Sequence, residues 1–492
     1  MTLPARTSLS NEDLLPVAAE RRTWNWWHIA SLWIGMAICI PTYTLASGLI
    51  ASGWTWQAAV GAVVLGNVVV LIPIALNSHA GTRYGIPFPV LARAPFGVLG
   101  ANIPAVLRAL VACGWFGIQT WIGGWAIYKL IEVIWPGIAT LPQILPAFIG
   151  LNTGEFLCFM LFWAMNVWIV LRGMESIKFL ETWGSPFLLA VGVALFVWAW
   201  MRAGGLGAML QNPVGPSDGR TVGLSGVFGA GLTSAVAFWG TMALSIPDFS
   251  RYARSQRDQV IGQAVGLPAT MALFAFIGAA VTNATVVIFG TRIADPVALL
   301  ARIGGPLMIM LSMAGLIIAT LTTNIAANIV APANGFSNLA PHRITFKQGA
   351  MITAVIGILM MPWRLYSDAA AYIFTWLIGY GALLGPVAGI MIADYFVVRR
   401  GVLLVNDLYK RHGAYEYSRG FNWLAILALA LGVAPSLPGF VAALRGVPET
   451  GPFGTIYNWA WFVGFLLSAL IYVMGMRLRA GSREQGAAGA SV

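Results

Sequence analysis

The chain is short of charge and of the residues that do chemistry with it. Of its 492 residues only 9% are Asp, Glu, Lys or Arg and 59% are hydrophobic, whereas about 25% of a soluble domain is charged. That shortage excludes an ordinary soluble domain and leaves a polytopic membrane protein. Cysteine is scarce: Cys39, Cys113 and Cys158 all stand in apolar stretches, where a free thiol behaves as a small hydrophobe, so no disulfide framework is expected. The four histidines, His28, His79, His342 and His412, fall at segment ends or in connections, and no His/Asp/Glu cluster has metal-ligand spacing. A phosphate loop, a nucleotide fingerprint and a Ser/His/Asp set are also missing, which disfavours an ATP-driven pump or a membrane enzyme.

The charge that is present sits where topology needs it. A net charge of +11 would suit a nucleic-acid binder, but the basic residues lie in short connections between apolar segments, so no nucleic-acid partner is read from it. A helix needs about 20 apolar residues to cross a bilayer. Twelve candidate spans satisfy or approach this, at 27–52, 54–77, 99–135, 154–171, 179–201, 222–247, 260–289, 306–330, 349–363, 369–397, 421–444 and 457–476. The ninth is short and the third long, which predicts tilt or re-entrant geometry. With the N-terminus inside, the inner connections hold Arg83, Arg93, Arg172, Lys178, Arg251, Arg254, Arg257, Arg343, Lys347 and a basic stretch over 398–419. The outer ones hold Arg202, Arg220, Arg292, Arg302, Arg364 and Arg445, so both termini are expected in the cytoplasm of a cell with the protein in its cytoplasmic membrane. Residues 1–26 read as a cytoplasmic tail rather than a cleaved signal. Residues 478–492, rich in Gly, Ala, Ser and charge, read as a disordered tail.

One stretch organises the rest. Gly35 to Tyr43, GMAICIPTY, interrupts the first span with Pro41, and the pattern Met36 to Pro41 returns at Met242 to Pro247. A helix broken at membrane depth persists only where the freed backbone groups meet protein, water or ligand. Two such breaks in corresponding, antiparallel halves point to inverted repeats with a binding site between them, although Pro is common in membrane helices and a short match can arise by chance.

Polar residues cluster near those breaks. Trp115 and Gln119 are four apart and share one face of the third span. An indole face and a carboxamide together suit a planar, uncharged, amide-bearing solute. Simple helix packing accounts equally for Gln119, and better for Trp115 taken alone. In the eighth span, Ala319 to Asn328 is dense in small polar residues. Thr322 and Thr323, with carbonyls freed near Pro41, would make a sodium site without any carboxylate, or would merely pack. Asn328 reads as functional because an unpaired amide is costly in lipid. Trp239 is a second ring candidate, though packing again explains it. Glu181, Asp248, Arg108 and Lys129 lie toward span ends, where capping, gating or snorkelling outranks proton relay.

Over nearly its whole length the chain resembles the nucleobase:cation symporter-1 family. The stretches that carry the likeness are RTWNWWHIASLWIGMAICIPTYTLASGLIASG (22–53), GTRYGIPFPVLARAPFG (81–97), WFGIQTWIGG (115–124), SIPDFSRYARSQRDQ (245–259) and GPVAGIMIADYFVVRRG (385–401). The resemblance implies an all-α, LeuT-type architecture: two inverted five-helix repeats, about 27–201 and 222–397, plus two further helices within 421–476. It also implies import of nucleobases or hydantoin-like ureides driven by sodium or protons. By position, Trp115 and Trp239 resemble the family's two ring-stacking tryptophans, and Gln119 and Asn328 its amide readers. Gly35 and Ile38 carbonyls with Ala319, Thr322 and Thr323 are similar to the sodium site of a hydantoin carrier. Two positions depart from that carrier: Cys39 stands where it has Gln, and Phe238 where it has Gly. The phrasing IPTYTLASGLIASG and FGIQTWIGG is similar to allantoin permeases and their uracil relatives. The oligomeric state is not readable, and a monomer is compatible with all of this.

Overall fold

The structure, a computed structural model, describes residues 7–172, 174–211, 228–368, 371–447 and 451–489. Among them no strand longer than an isolated bridge forms, and the architecture is the all-α one expected. The first span is two helices, α1 (Trp26–Ala37) and α2 (Ile40–Ala51), which meet at 55°. After them come α3 (Trp56–Tyr84), α4 (Asn102–Ile134), α5 (Thr153–Arg172) and α6 (Met174–Ala203). The second half holds α7 (Ala230–Phe238), α8 (Gly240–Ser245), α9 (Gln256–Phe289), α10 (Pro306–Asn328), α11 (Val330–Leu339) and α12 (Phe346–Leu359). It closes with α13 (Ala371–Val398), α14 (Trp423–Leu444) and α15 (Ala460–Gly489).

Seven described helices are long and apolar enough to cross a membrane, and α1 with α2 makes an eighth. Three shorter apolar pieces, Leu189–Ala203, Ile309–Ile325 and Phe346–Leu359, fall on the fifth, eighth and ninth expected spans. The pair α7–α8 falls on the sixth, whose expected start at 222–227 lies outside the described residues. Packing is reciprocal between the halves, since α3 lies on α7 and α8 while α9 lies on α1 and α2. That exchange is the relation inverted repeats produce.

The breaks differ from the sequence expectation in place. In the first span the helix stops at Ile38 and Cys39, with Cys39 extended at φ −147, ψ 161, so Pro41 begins the second half rather than marking the kink. Its ring would clash with the carbonyl four residues back, which ends α1 near Ala37. In the second half the break is not at Pro247. Trp239 (φ −100, ψ 14) separates α7 from α8, and Pro247 merely opens a further short turn, Pro247–Ser250. The carbonyl that Pro247 cannot bond, Ala243 O, instead accepts from Asn77 Nδ2 of α3 at 2.6 Å.

At the N-terminal face, residues 9–25 lie against the bundle, with the Leu9 and Leu14 side chains buried in it and several of the segment's carbonyls bonded by side chains. Arg93 Nη2 donates to Leu9 O (2.8 Å), Arg251 Nη1 to Asp13 O (2.7 Å), Tyr409 Oη to Leu14 O (2.7 Å) and Arg22 Nε to Val17 O (3.0 Å). Arg93 is 1% exposed and also donates to Leu408 O and Asn338 Oδ1; burial pushes its guanidinium down to about 10, still protonated near neutrality. At the other end of the chain α15 runs on to Gly489, so helix covers most of the tail expected to be disordered. The residues there, SREQGAAG, include several good helix formers that extend an existing helix easily.

Candidate functional site

Where the two breaks face α4 and α10, the bundle leaves a small, tightly lined cavity. It is lined by Met36, Cys39 and Pro41 from the first break, Trp115 and Gln119 from α4, and Phe238, Trp239, Thr241 and Met242 from the second break. From α10 come Thr323, Ala327 and Asn328. All six residues singled out in the sequence as solute contacts therefore meet at one cavity.

Their polar groups are poised rather than satisfied. Gln119 is 4% exposed, and among the described residues its carboxamide has no hydrogen-bond partner. Buried amides are rarely left so unless something else meets them. Asn328 donates Nδ2 to Asn324 Oδ1 at 3.1 Å, while its own oxygen is unpaired among the described residues. Cys39 Sγ sits 3.3 Å from Thr42 Oγ1.

The rings do not form the bare two-indole sandwich that the sequence suggested. Phe238 stands edge-on between the indoles, 5.2 Å from Trp115 at 65° and 5.1 Å from Trp239 at 71° between ring centroids and planes. Trp239 is backed by Trp33 at 5.0 Å. Three α13 rings, Tyr372, Trp376 and Tyr380, surround Trp115 at 6.0–6.3 Å. Gly114 makes this possible, since a Cβ there would lie 2.1 Å from the Trp376 ring. The first turns of α13, Ala371–Leu377, wind as a π-helix, a local widening that often accompanies functional sites. From that segment Tyr372 Oη donates to Pro41 O at 3.1 Å, tying α13 to α2.

The expected cation ligands lie on two helices, Gly35 and Ile38 at the end of α1 and Ala319, Thr322 and Thr323 on α10. Gly35 ends its last turn within α1, Ile38 is the residue at the break (φ −80, ψ 83), and α10 packs on α1. Thr323 Oγ1 donates to Ala319 O at 3.1 Å, so this hydroxyl and carbonyl already face one another. The side chain of Thr322 lies outside the described residues, as does that of Glu181. No group of three or more His, Cys, Asp or Glu among the described residues could hold a metal, so an ion here would meet neutral oxygens. Two basic or acidic residues expected at span ends also take definite places. Asp248 Oδ1 accepts from Phe88 N at 2.8 Å. Arg108 does not snorkel: it is 2% exposed and donates Nη2 to Ser245 Oγ at 2.8 Å.

Several cavity-side residues escaped the sequence reading. Thr241 and Ala327 carry no pattern of their own. Asn324 stands four before Asn328 on the same face, and Tyr372, Trp376 and Tyr380 repeat every four residues, so helical spacing would have found both sets.

A helical membrane bundle with a lined cavity at two helix breaks is the architecture of a membrane transporter. The profile of permeases for cytosine/purines, uracil, thiamine and allantoin matches residues 16–464. A purine-uracil permease of Arabidopsis thaliana is 45% identical over 94% of this chain and 77% of its own length. An allantoin permease of Bacillus subtilis is 42% identical over 96% of this chain and 94% of its own. Among solved structures, a nucleobase-cation-symport-1 transporter in a closed conformation with bromovinylhydantoin bound is 28% identical. It superposes with a TM-score of 0.77 over 96% of this chain and 97% of that one. The chain belongs to the nucleobase:cation symporter-1 family of membrane transporters, with its LeuT-type fold.

Proposed function

We propose that the protein imports allantoin or a related hydantoin or ureide across the cytoplasmic membrane, coupled to Na+ or H+, by alternating access. The observation that carries this reading is one cavity in which the Gln119 carboxamide and the Asn328 oxygen, neither with a partner among the described residues, meet the rings of Trp115, Phe238 and Trp239. A planar ring bearing N–H and C=O edges would pack against the indoles and satisfy the amides. Cys39 and Phe238 complete that site. Cation binding by the oxygens of Gly35, Ile38, Ala319, Thr322 and Thr323 would hold the first break and α10 together. Opposed motion of the two repeats, 27–201 and 222–397, would then open the site to the other side. Both termini would be cytoplasmic, as the Lys and Arg distribution favours. The bilayer is then a standing partner.

A second reading is import of uracil or another nucleobase, favoured by the 45% identity to a purine-uracil permease and by the similar amide edges of these rings. The deciding experiment is radiolabelled allantoin uptake into proteoliposomes with uracil as unlabelled competitor, under a sodium gradient and separately under a proton gradient. Uptake driven by one gradient and poorly blocked by uracil supports the first reading and names the ion. Accumulation of labelled uracil without allantoin uptake moves the protein to the second. Flux that neither saturates nor follows a cation gradient would make it a channel, and binding without flux a sensor.

A further inference from the structure

We infer that Asn324, which does not line the cavity, fixes the hydrogen-bonding polarity of Asn328, so that the solute must present an N–H at that edge. This rests on the proposed site and deepens it. The nitrogen and oxygen of a buried amide are told apart by the partners they meet. Around the Asn324 side chain three atoms approach, and each is an acceptor. Phe116 O, at 3.3 Å, is a backbone carbonyl. Thr120 Oγ1, at 3.1 Å, has already given its proton to Phe116 O at 2.7 Å. Asn166 Oδ1, at 3.3 Å, belongs to an amide whose nitrogen is held by Phe162 O at 2.8 Å.

Facing them must be the Asn324 nitrogen, because its oxygen there would meet three acceptors with no proton between. The Asn324 oxygen consequently points to Asn328, 3.1 Å away, and can only accept. Asn328 must therefore donate with Nδ2, and its oxygen is left on the cavity side. Asn324 and Asn166 are both fully buried, so no bulk water is available to satisfy a reversed amide. Two backbone carbonyls, at Phe116 and Phe162, thus set the polarity of a residue at the cavity wall. Asn324 is in this sense a positioning residue, with Thr120 and Asn166 behind it.

The test has two arms. The first needs no solute: melting of purified Asn324→Asp and Asn324→Val is compared in detergent at pH 8 and pH 5. A carboxylate facing three acceptors should melt below the valine variant at pH 8, with the gap closing at pH 5 as the carboxyl gains a proton. An aspartate variant more stable than the valine variant at pH 8 would overturn the polarity. The second arm measures binding of hydantoin, of oxazolidine-2,4-dione, in which one ring N–H is replaced by oxygen, and of 3-methylhydantoin, by tryptophan fluorescence. Wild type should disfavour at least one analogue by about tenfold or more, and Asn324→Val should lose most of that preference while binding hydantoin within about threefold. An unchanged preference in the variant overturns the positioning role. Failure of wild type to bind any of these rings strikes the proposed solute class, and the first arm still decides the polarity.

Discussion

Asn77 on α3 donates to the carbonyl of Ala243 at 2.6 Å, across 166 residues of sequence, and so supplies the hydrogen bond that Pro247 cannot. Replacing it by leucine leaves a buried acceptor unpaired beside the second break, at a cost of about 1–3 kcal/mol. Asn77→Leu should therefore melt earlier in detergent than wild type, while Asn77→Gln recovers part of the loss. A melting temperature equal to wild type would mean that water reaches the Ala243 carbonyl.

Gln119 has no described hydrogen-bond partner within the protein, so its removal should leave stability nearly unchanged. Gln119→Ala is expected to raise the apparent KM for every amide-bearing solute by roughly 10- to 100-fold, the equivalent of about 1–3 kcal/mol of lost pairing. Uptake kinetics alongside a melting curve separate the two effects; unaltered apparent affinity would mean that the solute sits elsewhere.

Thr323 borders the cavity and bonds the Ala319 carbonyl. If sodium is the coupling ion, Thr323→Ala should weaken sodium-stimulated uptake several-fold more than it weakens solute binding at saturating sodium. Equal losses in the two assays would remove Thr323 from the cation site.

Phe238 touches both Trp115 and Trp239, so it limits the room beside the bound ring. Phe238→Gly should admit hydantoins with bulky ring substituents, lowering their inhibition constants by about tenfold against labelled substrate. Some stability is lost with the ring contacts, about 3–5 kcal/mol for a fully packed Phe, so Phe238→Ala serves as the milder variant. Failure of both to change size selectivity would place the limit at Cys39 or Met242 instead.

Arg93 gathers three oxygens from the N-terminal segment, the 405–409 turn and the end of α11. Arg93→Ala should destabilise by about 1–3 kcal/mol, because it leaves buried oxygens at Leu9, Leu408 and Asn338 without their donor, and should expose residues 9–17 to limited proteolysis. Persistence of the wild-type digestion pattern would show that the remaining donors suffice.

Much of this was legible in the chain itself. The long apolar runs located most spans, because bilayer thickness imposes a length that needs no tertiary information, but α3 runs on past the expected end at 77 to Tyr84 and α15 past 476 to Gly489. Gln119 and Asn328 could be picked out because an unpaired amide at membrane depth is costly, whereas Trp115 stood out only by its spacing to Gln119 and by the family resemblance. The break positions were less accessible. A Pro marks where a helix cannot continue, but the second span breaks at Trp239 without one, where the ring packs on Trp33 of the other half. Likewise Asn324 reads as one more small polar residue until Phe116, Thr120 and Asn166 are brought around it.

The N-terminal segment is gripped by its carbonyls, at Leu9, Asp13, Leu14 and Val17, and every residue type carries that oxygen. Its exposed letters are therefore free to drift, whereas Leu14, 1% exposed, must stay apolar, and the rest of the information that places the segment is stored in the donors, Arg22, Arg93, Arg251 and Tyr409. A random library at the exposed positions 12 and 13 should be widely tolerated, apart from prolines that bend the path, while the same library at Leu14 and at the four donors should be purged.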